Sequence, residues 1–220
     1  MNKQATIFLV FSIIFLVFSI IEIYFCFKSE KYRKYFKGIP VFLLIIAAII
    51  IMPNEPLIYC GLICGLIGDL FLISWNKQMF FVGTCFFLLE HILIATKLYL
   101  MSNISFPYPF YLILVGSLFL ILTIGYLVLS KFMKTPYMIL STLYAFILLL
   151  NLVSSIAFLI INKNMVLLSF IIGYAIFISS DFLVMQKRFI KKMKVHQPAI
   201  MITYYIAQFL ILLTFVIPLF

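Results

Sequence analysis

Long apolar runs, separated by short polar or charged segments, make up most of the chain. A helix needs about 20 apolar residues to cross a bilayer, with a range of about 17–25. The runs are continuous and do not alternate with polar positions, a pattern typical of membrane helices rather than strands. The sequence therefore predicts an all-α, polytopic transmembrane helical bundle with eight spans. The predicted spans are 5–27, 39–53, 57–74, 79–99, 109–129, 137–161, 165–185 and 199–219.

Prolines mark the boundaries of these spans. Proline lacks a backbone N–H and stops or kinks a helix. All eight prolines fall at predicted ends, at positions 40, 53, 56, 107, 109, 136, 198 and 218. The first apolar run is longer than that of a signal peptide and precedes no small-x-small cleavage site, so we expect a retained first helix. Residues 1–220 are therefore interpreted as a single integral membrane domain.

Composition narrows the class of protein further. Of the 220 residues, 66% are hydrophobic and 10% are charged, whereas a soluble domain is about half apolar and about a quarter charged. This excludes a water-soluble globule and a disordered chain. The four cysteines form no CxxC and no Cys/His cluster, so neither a disulfide scaffold nor a metal site is expected. No cofactor is expected either.

The basic residues sort by side of the membrane. Of the 16 lysines and arginines, 13 lie in the odd-numbered loops, so the positive-inside rule places those loops in the cytoplasm and both termini outside. The net charge of +10 is thus a topology signal, and the bilayer, not nucleic acid, is the expected partner. The basic stretch 186–197 is interpreted as a solvated loop, with recognition of anionic lipid as the alternative.

The residue usage suggests an AT-rich genome, and we favour a bacterial cytoplasmic membrane over the endoplasmic reticulum.

Ionisable side chains inside a bilayer are costly, by about 2.5–3.5 kcal/mol or more each, and are therefore candidates for function. The chain has six acidic residues, of which Glu30 and Glu55 lie in predicted loops. Glu22 lies near the inner end of the first span, where we expect it to pair with the cluster Lys28–Lys37. No lysine or arginine is predicted at matching depth for the other three acids. These are Asp69, Glu90 and Asp181.

Two of these acids lie at one predicted depth. Asp69 and Asp181 each precede the cytoplasmic end of their span by about six residues, a distance of about 9 Å along a helix. They could therefore line one cavity. Burial and a neighbouring like charge both favour the protonated carboxyl, which would leave one acid protonated beside one carboxylate, an arrangement suited to acid–base catalysis. The structural alternative is a protonated Asp that bonds between packed helices.

Small and polar residues accompany the two carboxyls. Gly61, Gly65 and Gly68 share one side of the third span and predict close helix packing or room for a headgroup. Ser180 precedes Asp181 directly. In the fourth span Gly83, Phe87 and His91 share one side, and Glu90 points about 100° away from His91. The Phe side chains there are interpreted as core, while His91 is either a hydrogen-bonded structural residue or part of a site. In the eighth span Tyr204 and Gln208 reach the layer of the two Asp residues.

Several hydrolase signatures are absent from the sequence. It contains no GxSxG, no HExxH and no P-loop, so a serine hydrolase or a zinc hydrolase is poorly supported.

Four segments, in order, resemble motifs of the YhhN family of membrane proteins, which includes the lysoplasmalogenases. The similarity extends over roughly residues 40–216. The segments are Gly68, Asp69 and Leu72 (GDxxL); Gly83, Phe87 and His91 (GxxxFxxxH); Gly173, Phe177, Ser180 and Asp181 (GxxxFxxSD); and Tyr204, Ala207 and Gln208 (YxxAQ).

The resemblance also has departures. Gly65 stands where many family members have Ser, Glu90 where a small residue is usual, and Ile94 where a Tyr often follows the His. These differences bear on the fourth span and on headgroup preference. Both Asp residues are retained.

The resemblance implies hydrolysis of the vinyl ether bond of a lysoplasmalogen, an alkenyl-glycerophosphoethanolamine or alkenyl-glycerophosphocholine, to a fatty aldehyde and a glycerophospho-base. The implied partner is thus a lysophospholipid substrate. Paired carboxyls suit this chemistry without a nucleophilic serine, because the reaction begins with protonation of a carbon and leaves a cation to be stabilised. Asp69 and Asp181 are the catalytic candidates, and either could be the acid. The supporting or substrate-binding candidates are His91, Tyr204, Gln208, Ser180 and Gly68.

Two other interpretations remain open at this point. Intramembrane carboxylates are common in proton relays, so a proton-coupled transporter or lipid flippase would use the same residues. A non-catalytic membrane scaffold would tolerate Asn in place of either Asp.

Overall fold

The computed structural model describes residues 3–74, 76–102, 115–116, 119–120, 123–127, 135–190 and 196–219. All regular structure in these residues is helical, as predicted. A π-helical turn, Gln186–Ile190, follows the seventh helix, and a 3₁₀ turn, Ile217–Leu219, follows the eighth. The main helices are α1 Lys3–Lys28, α2 Glu30–Phe36, α3 Ile39–Ile51, α4 Pro56–Leu72, α5 Lys77–Ser102, α6 Thr135–Asn162, α7 Leu167–Met185 and α8 His196–Val216.

Six helical segments in this part of the chain are long and apolar enough to cross a membrane. They comprise α1, α5, α6, α8, the segment Lys31–Ile51 that includes α3, and α7 with its extension to Phe189. The apolar helix α4 has 17 residues, which is the lower end of the spanning range. Seven of the eight predicted spans therefore correspond to helices, and the fifth, 109–129, lies largely outside the described residues. The chain is that of a multi-pass integral membrane protein.

The segment between the first two spans differs from its prediction. It was expected to be a loop, but it contains α2, which follows Ser29 in an extended conformation at the N-cap position. The sequence EKYRKYF contains no Gly or Pro to interrupt a helix. Six prolines lie at or next to helix ends as predicted, and Pro107 and Pro109 lie outside the described residues.

The helices pack mainly on their chain neighbours, and α8 brings the end of the chain back to its beginning. The helix α4 packs along α5, and α7 along α8; α8 also contacts α1 and α3. It is the most buried of the six long segments. Its aromatic side chain Tyr204 meets Phe87 of α5 and Phe177 of α7, with ring centroids 5.7–6.4 Å apart in this group. This aromatic group joins three helices beneath the site described next.

Glycines allow the close approach of α4 and α5. A Cβ atom on Gly68 would lie 2.8 Å from the Phe87 ring and 3.1 Å from the carbonyl oxygen of Gly83. A Cβ on Gly83 would in turn lie 3.1 Å from the Gly68 carbonyl oxygen. The close packing predicted for the glycine side of this span is confirmed, since small residues let two helix backbones approach.

Candidate active site

Asp69 and Asp181 line the same cavity, as their common depth predicted. We call this the polar cavity; its volume is about 70 Å³. Asp69 is 3% exposed, whereas Asp181 is partly exposed. The remaining lining residues come from α2, α4, α5, α7, the π turn and α8. They are Arg33, Lys37, Leu72, Ile73, Phe80, Phe87, Ser180, Val184, Lys187, Arg188, Gln197, Ile200, Met201 and Tyr204.

Asp69 has a cationic partner, so the prediction that no lysine or arginine reaches its depth is wrong. The Lys37 ammonium lies 3.2 Å from Asp69 Oδ1 and donates to the Asp69 carbonyl oxygen at 2.9 Å. Lys37 lies at the C-terminal end of α2 and is itself buried. Its long side chain carries the charge from the helix end into the bundle. Tyr205 fixes the backbone there by donating to the Lys37 carbonyl oxygen at 3.0 Å.

Asp181 has a different environment. Its Oδ2 accepts a hydrogen bond of 2.6 Å from the Tyr144 hydroxyl on α6. It also lines a second cavity of about 350 Å³, which we call the apolar cavity. Leu72, Phe80, Phe87, Val184 and Asp181 line both cavities. The other residues of the apolar cavity are Thr84, Ser141, Tyr144, Ala145, Leu148, Leu149, Ile178, Phe182, Met185 and Gln186.

Tyr204 and Gln208 connect Asp69 to the third buried acid. The Tyr204 side chain lines the polar cavity beside Asp69. The Gln208 amide nitrogen donates to the Tyr204 hydroxyl oxygen at 3.2 Å and to Glu90 Oε1 at 2.7 Å. Gln208 and Glu90 are both fully buried. Of the two α8 candidates, only Tyr204 is therefore among the cavity-lining residues.

His91 lies one layer away from the two carboxyls. Its Nδ1 is 2.9 Å from the Tyr174 hydroxyl, and Asn151 donates to the same hydroxyl at 2.8 Å and to the His91 carbonyl oxygen at 3.1 Å. The imidazole is not among the residues that line either cavity. It lies near Tyr144, with the ring centroids 5.7 Å apart and the ring planes tilted by 48°. His91 is thus near Tyr144, the donor to Asp181, and lines neither cavity.

The two smaller candidates connect helices. Ser180 donates to the Ile200 carbonyl oxygen at 3.1 Å and so ties α7 to α8. Gly68 gives Phe87 its space at the crossing of α4 and α5. In the described residues, no group of three or more His, Cys, Asp or Glu side chains is arranged to hold a metal ion.

Basic side chains surround the polar cavity. Arg33 lies 3.8 Å from Glu22, which confirms the predicted pairing of Glu22 with this cluster, although both side chains are buried rather than interfacial. Arg188 donates to the carbonyl oxygens of Ser74 and Asn76 at 2.9–3.3 Å. The start of the predicted solvated stretch 186–197 is therefore folded against the turn between α4 and α5.

The YhhN family matches residues 32–215 of the chain. The chain belongs to the YhhN family. No curated protein and no solved structure matches it. Membership in the YhhN family is consistent with a hydrolase.

The two main departures from the YhhN motifs lie in contact with each other. A Cβ atom on Gly65 would lie 2.4 Å from Glu90 Oε2 and 2.7 Å from its Cδ. The Glu90 carboxyl therefore occupies the space that a serine at position 65 would need. A small residue at 65 and a large one at 90 are thus matched in size.

Sequence reasoning missed Lys37 and Tyr144, the polar partners of the two Asp residues. Lys37 directly precedes Gly38-Ile39-Pro40 at the start of a span, a position where a basic residue reads as a topology signal. Tyr144 is surrounded by aliphatic residues and reads as core. Neither position carried a local signal for its partner, because each contact joins two different helices and the partners lie 37 and 32 residues apart.

Proposed function

We propose that this YhhN protein is a lysoplasmalogenase-like hydrolase that cleaves the vinyl ether bond of lysoplasmalogens in a bacterial cytoplasmic membrane. The observation that carries the proposal is the position of Asp181 at the junction of the polar and apolar cavities. A lysolipid has one apolar chain and one polar headgroup, and its ether oxygen joins them. A lysoplasmalogen with its chain in the apolar cavity would therefore have its vinyl ether beside this carboxyl.

In the proposed reaction Asp181 is the acid. Its proton goes to the alkenyl β-carbon, on the chain side of the ether oxygen, where Asp181 faces the apolar cavity. The C=C π electrons form the new C–H bond and leave an oxocarbenium ion at the α-carbon and ether oxygen. The carbon that receives the proton lies deeper along the chain than the cation, which matches an acid on the apolar side of the junction.

Asp69 is the proposed carboxylate. The ammonium of Lys37 at 3.2 Å favours its ionised form. From the polar cavity it would stabilise the oxocarbenium ion and take a proton from the water that adds to the α-carbon. The hemiacetal then breaks its bond to the glycerol oxygen, which leaves with the proton held by Asp69, while the hemiacetal hydroxyl gives its own proton to Asp181. The products are a fatty aldehyde and a glycerophospho-base, and the Asp181 proton is restored.

The other residues act through these two. Tyr144 holds Asp181 by its 2.6 Å hydrogen bond, and His91 packs on Tyr144. Tyr204 would position the water or the glycerol beside Asp69, and Gln208 orients Tyr204 by its 3.2 Å contact. Only groups on the cavity walls touch the substrate in this scheme.

The test is aldehyde release from purified protein given a lysoplasmalogen or its saturated alkyl-ether analogue. We expect aldehyde from the vinyl ether alone, and none from Asp69→Asn or Asp181→Asn. Glu55→Gln is the control, because Glu55 pairs with Lys97 and lines neither cavity. An active Asn variant at either position would contradict the mechanism. Absence of aldehyde from folded wild-type protein, with several headgroups tried, would refute the function.

A proton-coupled transporter or flippase is the second candidate. The buried Lys37–Asp69 pair favours it, since a paired carboxylate inside a membrane domain can exchange a proton with a substrate ion. Proton-gradient-dependent uptake into vesicles, with lysoplasmalogen left intact, would support transport over hydrolysis.

A further inference from the structure

The polar cavity carries an excess of positive side chains. Among the described residues, its lining includes the basic residues Arg33, Lys37, Lys187 and Arg188 and the acidic residues Asp69 and Asp181. Lys37 forms an ion pair with Asp69, and Arg33 forms one with Glu22, which does not line the cavity. Lys187 and Arg188 extend the positive charge toward the end of α7. This charge balance suits an anion.

Hydrogen bonds and a ring contact orient the side chains of Lys187 and Arg188. The Lys187 ammonium donates to the side-chain oxygen of Gln197 at the start of α8. The Arg188 guanidinium donates to two backbone carbonyl oxygens and lies 4.9 Å from the centre of the Phe80 ring. Contacts of this kind orient a cation at the cavity wall. Ordered cations bind phosphate better than mobile ones, because less side-chain entropy is lost.

The local backbone puts both cations on the cavity. Gln186–Ile190 form a π-helical turn directly after α7, and such turns are frequent at functional sites. A π turn rotates less per residue than an α-helix, so the consecutive residues Lys187 and Arg188 both line the cavity.

The spacing fits a lysophospholipid with its ether at Asp181. Lys187 follows Asp181 by six residues, a rise of about 9 Å in a helix. The phosphorus of a lysophospholipid is five bonds from the ether oxygen, a reach of about 6 Å when extended. The flexible lysine side chain spans the difference. An ether at the cavity junction therefore brings the phosphate within reach of these two cations.

We propose that Lys187 and Arg188 form the binding site for the phosphate of the lysolipid headgroup. The inference deepens the proposed function and rests on it for the position of the ether. It makes phosphate a requirement for tight binding and assigns the basic stretch after α7 to substrate recognition.

The experiment measures binding, so it does not depend on catalysis. Purified protein in nanodiscs is given a radiolabelled alkyl-ether lysophospholipid, which cannot undergo vinyl ether cleavage, and separately the alkylglycerol with the same chain. We expect the wild type to bind the phospholipid at least about tenfold more tightly, the effect of one charge-assisted hydrogen bond or more. Lys187→Gln should lose most of this preference and keep its affinity for the alkylglycerol.

Two variants make the result specific. Lys187→Arg keeps the charge and should keep the preference. Lys34→Gln removes an exposed charge of α2 outside the cavity and should behave as the wild type. Equal binding of the two lipids by the wild type, or a normal preference in Lys187→Gln, would overturn the inference. Equal weakening of both lipids would indicate a structural role and overturn it as well.

Inorganic phosphate distinguishes the headgroup from a free anion. We expect millimolar phosphate to displace the lysophospholipid weakly and the alkylglycerol not at all. Phosphate that binds as tightly as the lipid would overturn the assignment to a headgroup. A preserved preference for the phospholipid without aldehyde release would refute the hydrolase and leave the headgroup site intact. Aldehyde release without any preference for the phospholipid would refute the headgroup site and leave the hydrolase intact.

Discussion

Replacement of Gly65 by Ser should destabilise this protein because Glu90 fills the space beside it. The added Cβ would lie 2.4 Å from Glu90 Oε2 and 2.8 Å from Oε1, so the carboxyl must move by about 1 Å to reach an ordinary contact distance. Glu90 is fully buried, and Gln208 holds its Oε1 at 2.7 Å. Overpacking of this kind costs about 1–3 kcal/mol.

The expected result is a lower melting temperature in detergent. A loss of about 1–3 kcal/mol corresponds to a fall of about 3–9 °C in Tm for a chain of this size. Gly116→Ser is the matched control, since no atom of the described residues lies within 4 Å of a Cβ added at Gly116. Its Tm should not fall.

A double-mutant cycle isolates the contact. Glu90→Ala removes the obstructing carboxyl, so adding Gly65→Ser to that variant should cost little, with a coupling energy of about 1–3 kcal/mol. The double variant would carry the small residue at 90 and the Ser at 65 that the resemblance leads us to expect in other family members. Additive effects, or a Gly65→Ser variant as stable as the wild type, would refute the view that these two departures compensate each other.

Three further predictions concern the cavities. Tyr144→Phe removes the 2.6 Å hydrogen bond to Asp181 and should lower kcat for aldehyde release about 10- to 100-fold with little change in Tm; an unchanged kcat would exclude a role for Tyr144 in holding the acid. Ala145→Phe narrows the apolar cavity and should displace about two methylenes of a long chain, about 1.6 kcal/mol, so kcat/KM for long relative to short alkenyl chains should fall about tenfold. An unaltered chain-length profile would place the chain elsewhere. Lys37→Met leaves Asp69 as a buried charge without this partner and should cost about 3 kcal/mol of stability; adding Asp69→Asn should recover most of the lost Tm, and failure to recover it would show that the loss does not arise from the unpaired carboxylate.

The helical membrane architecture could be predicted because its cause is local. Continuous apolar runs and prolines at their ends identify membrane helices without knowledge of their neighbours. The structure contains a helix for each predicted span in the described residues. The helix α2, in contrast, lies in a segment that was predicted to be a loop. A short polar helix has no apolar periodicity, so its sequence resembles a loop.

The prediction that the two carboxyls could line one cavity was confirmed for a related reason. Rise per residue converts sequence position into height along a helix, and Asp69 and Asp181 do line one cavity. Height does not determine which direction a residue faces relative to other helices. His91 and Gln208 were predicted as supporting residues of the site, but neither lines the cavities.

The sequence by itself determined the class of protein, most of its helices and the relative heights of Asp69 and Asp181 along their helices, since these follow from composition and from distances along single helices. Only the tertiary structure decided that Lys37 pairs with Asp69, that Tyr144 holds Asp181, and that Glu90 fills the space above Gly65. It also created the polar and apolar cavities that meet at Asp181. The physical reason is that these contacts depend on how separate helices are rotated and spaced relative to one another, which packing sets and local sequence does not record.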